Sequence, residues 1–208
     1  RCIEAPRSRP VAFEGSADVA TELAAWPLNQ VVKVLVFYHP DDPSDLRERQ
    51  ERQVLRLFDA CRKTRHEFLL EVIAPPGVPC DAATVARALD RFYDLGVKPD
   101  WWKLEPLDDP DAWRNIEAVI ARRDPHCRGV LVLGLSQPLE TLVAAFEASA
   151  QAPVVKGFAV GRTIFHEPAR AWLSGEIDDA TAVARLAETL VFLSEAWRRA
   201  RAGVGEAA

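Results

Sequence analysis

The 208-residue sequence contains no methionine, and no apolar run in it approaches the roughly 18 residues that a membrane-spanning helix needs. It also has no signal peptide, which would show as a basic start followed by an apolar stretch. We therefore expect no membrane partner. A start at Arg1 without any methionine indicates a mature, processed or truncated piece of a longer product.

Cysteine is scarce and scattered. The four cysteines are Cys2, Cys61, Cys80 and Cys127, and no two of them form a C-x-x-C pair. That spacing excludes a zinc knuckle and a small disulfide scaffold. We therefore interpret the four cysteines as reduced thiols in a cytoplasmic protein.

A basic excess is also missing, because 26 lysines and arginines stand against 31 acidic residues and the formal net charge is -5. Phosphate neutralisation by cationic side chains dominates nucleic-acid affinity, so we expect no nucleic-acid partner. A small anionic substrate is still compatible, since it needs only a few local positive groups.

Several catalytic motifs are absent: G-x-G-x-x-G after a strand, a Walker A loop, a G-x-S-x-G elbow and H-E-x-x-H. His39 with Asp41 and Asp42 is the one set that suggests a metal site after a strand. Aspartates that start a loop usually cap helices, so we predict no metal.

What the sequence does contain is a regular alternation of short β-rich segments and amphipathic helical segments. This alternation is typical of a parallel sheet with crossover helices, in a TIM barrel or in a doubly wound sheet. The missing dinucleotide and Walker motifs favour the barrel. Five strands are predicted at residues 31–39, 67–73, 100–105, 129–134 and 154–161, with a weaker sixth at 2–5. Helices are predicted at about residues 42–65, 81–96, 167–173 and 179–201, and two more begin near residues 110 and 136, with apolar positions as far as Ile120 and Phe146.

A closed TIM barrel takes eight strands and about 250 residues, which is more than this chain supplies. We predict an α/β fold in which residues 1–201 form the C-terminal five to six βα units of a barrel and residues 202–208 form a flexible tail. Either the leading strands are missing from this piece, or another chain completes the sheet.

Three predicted strands carry charged residues inside apolar runs: Lys33, Glu71, and the pair Lys103 and Glu105. A strand buried on both faces tolerates such groups poorly, because an unpaired buried charge costs several kcal/mol. Lys103 and Glu105 also share one face of their strand, since side chains alternate. We predict one polar cluster inside the barrel near the carboxyl ends of its strands, where active sites of this fold lie. A buried ion-pair network with a purely structural role is the alternative.

Two strand ends suit a phosphate. Gly134 ends one strand and is followed by Ser136, while Gly157, Gly161 and Arg162 lie around the end of the last strand, before a short helix. Backbone N–H groups and an arginine at the last two strand ends form the usual phosphate site of TIM barrels. Relief of crowding in the strand is the alternative explanation for the glycines.

The segments VVKVLVFYHPDD, EFLLEVI, DWWKLEP, VLVLGLS and GFAVGRTIF resemble the aldolase-like domain fused behind the sugar kinase of myo-inositol catabolism. They are similar, more distantly, to class I tagatose-bisphosphate aldolases. The resemblance extends from Glu4 to the terminal helix. It implies that Lys103 forms a Schiff base, that Glu71 moves protons and that Lys33 is a second catalytic lysine.

The resemblance further implies that the substrate phosphate is held by Gly134, Ser136, Gly161 and Arg162. We predict that Glu4 and Glu105 bind the substrate as well. The implied reaction cleaves a phosphorylated keto-sugar acid of the 6-phospho-5-dehydro-2-deoxygluconate type to dihydroxyacetone phosphate and malonate semialdehyde. A lysine nucleophile must be partly neutral, and Lys33 is expected to favour the neutral amine of Lys103.

Three functional hypotheses follow. The first is this lysine-dependent aldolase, a cytoplasmic carbon–carbon lyase that needs no cofactor. The second is a metal-dependent aldolase or isomerase on the same fold. The third is a non-catalytic sugar-phosphate-binding domain that supports a fused kinase. The partner in each case is a small sugar phosphate, with a homo-oligomer or a fused kinase domain left open.

Overall fold

A computed structural model describes residues 1–15 and 18–205, and within them it contains a five-stranded parallel sheet. The strands are β1 (Val32–Phe37), β2 (Phe68–Ile73), β3 (Trp101–Leu104), β4 (Gly129–Leu133) and β5 (Val155–Ala159). Their order in the sheet is the order in the chain, β1-β2-β3-β4-β5. A doubly wound sheet reverses its strand order at a switch point, whereas a barrel adds each strand beside the previous one. The five predicted strands and the predicted α/β class are confirmed.

Helices follow every strand and cover one face of the sheet. The helices of the described residues are α1 (Val19–Ala24), α2 (Ser44–Thr64), α3 (Thr84–Asp94), α4 (Pro110–Arg123), α5 (Leu139–Ser149), α6 (Arg162–Leu173) and α7 (Asp179–Gly205). Helix α1 was not predicted, because its six residues are too few to show a clear apolar period. None of the helices in the described ranges is both long and apolar enough to cross a membrane.

The two faces of the sheet differ in burial. Side chains that point to the helices, such as Val34, Leu70, Trp102 and Val132, are fully buried in the core. Several alternate positions, which include Lys33, Leu35 and Lys103, are only half-buried, although Glu71 and Ile73 on the same side are buried. We call this second side the open face. In a TIM barrel the corresponding face lines the barrel interior, so the charged residues of the strands lie where the sequence predicts them.

The N-terminal segment lies along the free edge of β1. Cys2 forms a single parallel bridge with Lys33, and the N–H of Lys33 donates to the carbonyl oxygen of Arg1 at 2.8 Å. Glu4 then pairs with Phe13 in an antiparallel bridge. The weak sixth strand predicted at residues 2–5 is therefore reduced to isolated bridges.

Helix α6 begins at Arg162, five residues before the predicted start. Proline is favoured in the first turn of a helix and disfavoured in its interior, so Pro168 does not by itself indicate the earlier start. In the structure Pro168 lies inside α6. The earlier start matters, because it places a helix N-terminus directly after β5.

The last helix, α7, continues to Gly205. It therefore includes residues 202–205 of the segment for which the sequence predicts a tail. The remaining three residues of that segment, 206–208, lie outside the described residues.

Candidate active site

The charged residues of the open face form one ion-pair cluster. Parallel pairing places Glu71 of β2 beside Lys103 of β3 and beside Leu35 of β1. Lys33 lies two residues before Leu35 on the same face of β1. Its long side chain therefore reaches Glu71 diagonally across the two strands. Lys33 and Lys103 thus contact the Glu71 carboxylate from opposite neighbouring strands.

The distances within this cluster are short. The Nζ of Lys103 lies 3.1 Å from Oε1 of Glu71, and the Nζ of Lys33 lies 2.9 Å from Oε2. Lys33 also donates to Oε1 of Glu4 at 2.5 Å. The side chain of Glu71 is only 6% exposed, so its charge interacts with the two lysines more strongly than it would in water. We call Glu4, Lys33, Glu71 and Lys103 the four-residue cluster.

Lys33 is held in its charged form. Burial opposes its positive charge, but the attraction of Glu71 and the hydrogen bond to Glu4 outweigh burial, so the pKa of Lys33 is raised. Lys33 is expected to favour the neutral amine of Lys103, but in the structure each of the two amines forms an ion pair with the Glu71 carboxylate.

A cavity of about 210 Å³ opens beside Lys103 and Glu71; we call it the inner cavity. Leu35 and Ile73 line its strand side, and Phe165 of α6 lines its far side. The cavity also contacts four of the predicted substrate-binding residues, namely Gly134, Ser136, Gly161 and Arg162. The fold thus brings the predicted catalytic pair and the predicted phosphate residues around one space.

The loop after β4 has an unusual backbone. Leu135 and Ser136 both have positive φ angles, 48° and 58°, which non-glycine residues rarely adopt in succession. Gly134 just before them is required by close packing, because a Cβ at this position would lie 2.7 Å from Cγ1 of Val160. The two strand ends that line the inner cavity are therefore in direct contact.

Helix α6 presents its N-terminus to the inner cavity. Gly161 caps the helix, and the N–H groups of Ile164 and Phe165 donate to its carbonyl oxygen. The N–H groups of Arg162 and Thr163 precede this hydrogen-bond pattern, as first-turn amides do. Such amides and the helix dipole favour an anion, and the Arg162 guanidinium adds positive charge at the same point. Gly157 is different, since a Cβ there would meet nothing within 4 Å.

Glu105 lies apart from the inner cavity. Its Oε2 accepts a hydrogen bond of 2.7 Å from the N–H of Ala74, and so it ties the end of β3 to the loop after β2. Burial raises the pKa of Glu105, and the hydrogen bond from Ala74 offsets only part of that effect. A substrate contact is predicted for Glu105, whereas its observed contact is with the N–H of Ala74.

Glu105→Gln should change how stability depends on pH. A carboxyl group whose pKa is raised on folding stabilises the folded protein at low pH, and this contribution is lost as the pH rises from the ordinary value of 4.5 through the raised pKa. The free energy of unfolding of the wild type, relative to the variant, should therefore fall between about pH 4.5 and pH 7. Urea denaturation at both pH values measures it. Glu188→Gln, at an exposed position of α7, is the control, and parallel pH curves for wild type and Glu105→Gln would contradict the assignment.

The residues considered for a metal are engaged with one another and with arginines. Asp41 forms a bidentate ion pair with Arg87, and Asp42 forms an ion pair with Arg9 at 2.5 Å. His39 is buried, with its Nε2 atom 3.2 Å from the carbonyl oxygen of Pro79. In residues 1–15 and 18–205, no three histidine, cysteine, aspartate or glutamate side chains are grouped in a way that suits a metal ion.

Comparison with solved structures identifies the fold. The fructose-bisphosphate aldolase from Plasmodium falciparum, solved in complex with TRAP and a small-molecule inhibitor, superimposes with a TM-score of 0.66 at 14% identity. This match covers 96% of the present chain and 67% of the aldolase chain. Cgl0159 from Corynebacterium glutamicum (Brevibacterium flavum) matches with a TM-score of 0.57 at 17% identity, over 90% of this chain and 61% of that one. The prediction of a TIM-barrel architecture is confirmed.

Sequence comparison gives a family but no closer relative. No curated protein sequence matches the chain. One family model, described as "Uncharacterized protein conserved in bacteria (DUF2090)", matches residues 1–201. That range includes the sheet, the four-residue cluster and both phosphate-suited loops. The chain is therefore a member of the DUF2090 family.

Proposed function

We propose that this chain is a lysine-dependent aldolase, a carbon–carbon lyase that cleaves a phosphorylated keto sugar. The observation that carries the proposal is the Glu71 carboxylate, 3.1 Å from Lys103 and 2.9 Å from Lys33, beside a cavity with an anion-suited far side. A nucleophilic amine, a group that moves protons and a phosphate site are the three requirements of this chemistry. The aldolase named among the structural neighbours supports the same class.

Lys103 is the nucleophile in this proposal, and Lys33 is not. The raised pKa of Lys33 keeps its amine protonated and therefore unreactive toward a carbonyl. Lys103 contacts one carboxylate, lines the inner cavity and has no second acidic partner among the described residues. Lys33 holds the Glu71 carboxylate in place and keeps positive charge beside it.

The reaction begins with the neutral amine of Lys103 adding to the substrate ketone. Loss of water then gives a protonated imine on Nζ of Lys103. Glu71 takes the proton from the hydroxyl group on the carbon two bonds from the imine carbon. The bond between this hydroxyl-bearing carbon and the carbon next to the imine breaks, an aldehyde leaves, and the bonding electron pair moves toward the imine to give an enamine. Proton return to the enamine and hydrolysis release the second product and restore Lys103.

The substrate phosphate would bind at the far side of the inner cavity. Gly134 and Ser136 would approach it with backbone groups, and Gly161 and Arg162 would add the first-turn amides of α6 and a guanidinium. This binding would hold the ketone against Lys103. Orientation of this kind contributes a large part of the rate in reactions between bound groups.

The specific substrate follows from the resemblance of the strand sequences. We propose 6-phospho-5-dehydro-2-deoxygluconate, whose cleavage gives dihydroxyacetone phosphate and malonate semialdehyde, as in myo-inositol catabolism. A cytoplasmic location, independence from any cofactor, and a homo-oligomer or a fused kinase domain as partner belong to the same proposal. The chain spans only about two thirds of the neighbouring aldolase, so the activity of the whole protein is proposed with it.

Borohydride trapping tests the proposal. The protein is incubated with dihydroxyacetone phosphate, reduced with borohydride, and analysed by intact mass and peptide mapping. We expect one covalent adduct, on Lys103, because only an imine between amine and ketone is reduced to a stable bond. Binding of the ligand without an adduct would reject the lysine mechanism; loss of turnover on chelation would then favour a metal-dependent enzyme, and binding without any turnover a non-catalytic domain.

A further inference from the structure

A second cavity, of about 460 Å³, adjoins the inner cavity on the side of the N-terminal segment; we call it the outer cavity. The two cavities share four lining residues: Leu35, Ile73, Leu135 and Arg162. The outer cavity therefore continues the space beside Lys103 toward residues 2–14. A substrate held at the inner cavity has room to extend in this direction.

Two arginines line the outer cavity from opposite parts of the chain. Arg162 is the first residue of α6, and Arg7 belongs to the N-terminal segment before β1. Among residues 1–15 and 18–205, neither guanidinium forms an ion pair with a carboxylate. Unpaired guanidinium groups in a cavity are ready to bind an anionic group of a ligand.

The acidic residues of the outer cavity do not cancel this charge. Glu4 is already neutralised by Lys33 at 2.5 Å. Glu14 is the remaining acidic residue in the lining. The two positive charges of Arg7 and Arg162 outnumber the one remaining negative charge of Glu14. The lining of the outer cavity therefore has a net positive charge.

The segment that carries Arg7 is fixed to the rest of the fold. The N–H of Ala5 donates to Ala12 and the N–H of Glu14 donates to Ile3, at 2.8 and 2.9 Å. Arg9, two residues after Arg7, pairs with Asp42 at 2.5 Å. Arg7 itself is exposed, with a positive φ angle of 59° in a turn. Its position is therefore defined by its neighbours, while its guanidinium is left for a ligand.

We propose that Arg7 is a specificity-determining residue that binds a second anionic group of the substrate, at the end opposite the phosphate held by Arg162. The substrate class is then a sugar derivative with an anionic group at each end, a phosphate at one and a carboxylate or second phosphate at the other. This inference rests on the proposed function, because the phosphate end is assigned there. It adds a residue from outside the strand ends to the binding site.

Isothermal titration calorimetry with ligands that lack a ketone tests the proposal independently of the lysine chemistry. 6-Phosphogluconate has a phosphate and a carboxylate, whereas glucose 6-phosphate has the phosphate alone. For Arg7→Gln we expect about tenfold weaker binding of 6-phosphogluconate and an unchanged affinity for glucose 6-phosphate, as expected for one lost charged contact. Arg162→Gln should weaken both ligands. The affinity for fructose 1,6-bisphosphate is measured on the Lys103→Met variant, with and without Arg7→Gln. A loss of this affinity with Arg7→Gln would indicate that Arg7 accepts a second phosphate as well as a carboxylate.

Two further variants sharpen the test. Glu14→Gln should strengthen the binding of 6-phosphogluconate, because it removes the free carboxylate of the outer cavity. Arg65→Gln is the matched control, since Arg65 is another arginine with a positive φ angle but ends α2 and lines neither cavity.

Three results would overturn the proposal. Arg7→Gln could change the affinity for both ligands equally, it could change neither affinity, or the wild type could fail to bind 6-phosphogluconate. These outcomes are separable from failure of the aldolase assignment. Arg7-dependent binding without borohydride trapping would retain the binding site and reject the lysine chemistry. Borohydride trapping without Arg7-dependent binding would retain the lysine chemistry and reject the anion-binding role of Arg7.

Discussion

Lys103→Met should abolish borohydride trapping and lower kcat/KM for aldol cleavage by at least about 10³-fold. Methionine has nearly the length of lysine but no amine, so it preserves the packing on β3 and removes the nucleophile. Steady-state kinetics and intact mass after reduction measure the two effects. We expect the loss in kcat and not mainly in KM, because the imine forms after the phosphate is bound.

Lys98→Met is the matched control for this variant. Lys98 lies five residues earlier, is exposed, and precedes β3 outside both cavities. It should retain full trapping and turnover. An undiminished adduct on Lys103→Met would assign the nucleophile to another lysine, and an adduct mapped to Lys33 would reverse the roles proposed for the two amines.

Glu71→Gln should separate proton transfer from imine formation. We expect a loss of about 10²- to 10⁴-fold in kcat, the range for removal of a general acid–base group, while trapping on Lys103 persists. The amide cannot take the substrate's hydroxyl proton, but it leaves the amine of Lys103 in the cavity. Kinetics and peptide mapping of the reduced protein together give the two readouts.

The same variant should also lower the free energy of unfolding. One buried carboxylate now bridges Lys33 and Lys103, and leaving a charged partner unsatisfied costs about 1–3 kcal/mol. Glu67→Gln is the control, because Glu67 precedes the same strand, at its amino end, and pairs with Arg128 at 3.0 Å. Loss of trapping in a folded Glu71→Gln protein would contradict a role confined to proton transfer.

Much of this arrangement could be predicted from the sequence, because it depends on local patterns. A lysine or glutamate inside a buried apolar strand costs free energy unless its charge is paired. Three such strands in succession therefore indicate one polar cluster. Lys33, Glu71 and Lys103 do meet on the open face. The glycines at the strand ends likewise indicated the loops around Gly134 and Gly161, which line the inner cavity.

Contacts between distant parts of the chain could not be predicted in the same way. The hydrogen bond between Glu105 and the N–H of Ala74 depends on how two loops meet, and no spacing in the sequence encodes it. The position of Arg7 beside the outer cavity was not predicted, because Arg7 lies in a polar turn with no motif. The positive φ angles of Leu135 and Ser136 were not predicted, because neither residue type favours them.

The pairing of β2 with its neighbours has a consequence for folding itself. Glu71 meets Lys103 only in the observed alignment of the strands, Leu35 with Glu71 and Glu71 with Lys103. A slip of one residue would turn Glu71 toward the helices, into the layer that holds Leu70 and Trp102, with no cation to meet it. The charges of Lys33, Glu71 and Lys103 thus favour one alignment of the strands: a misaligned sheet would bury Glu71 without a cation, whereas the observed sheet pairs it with two lysines.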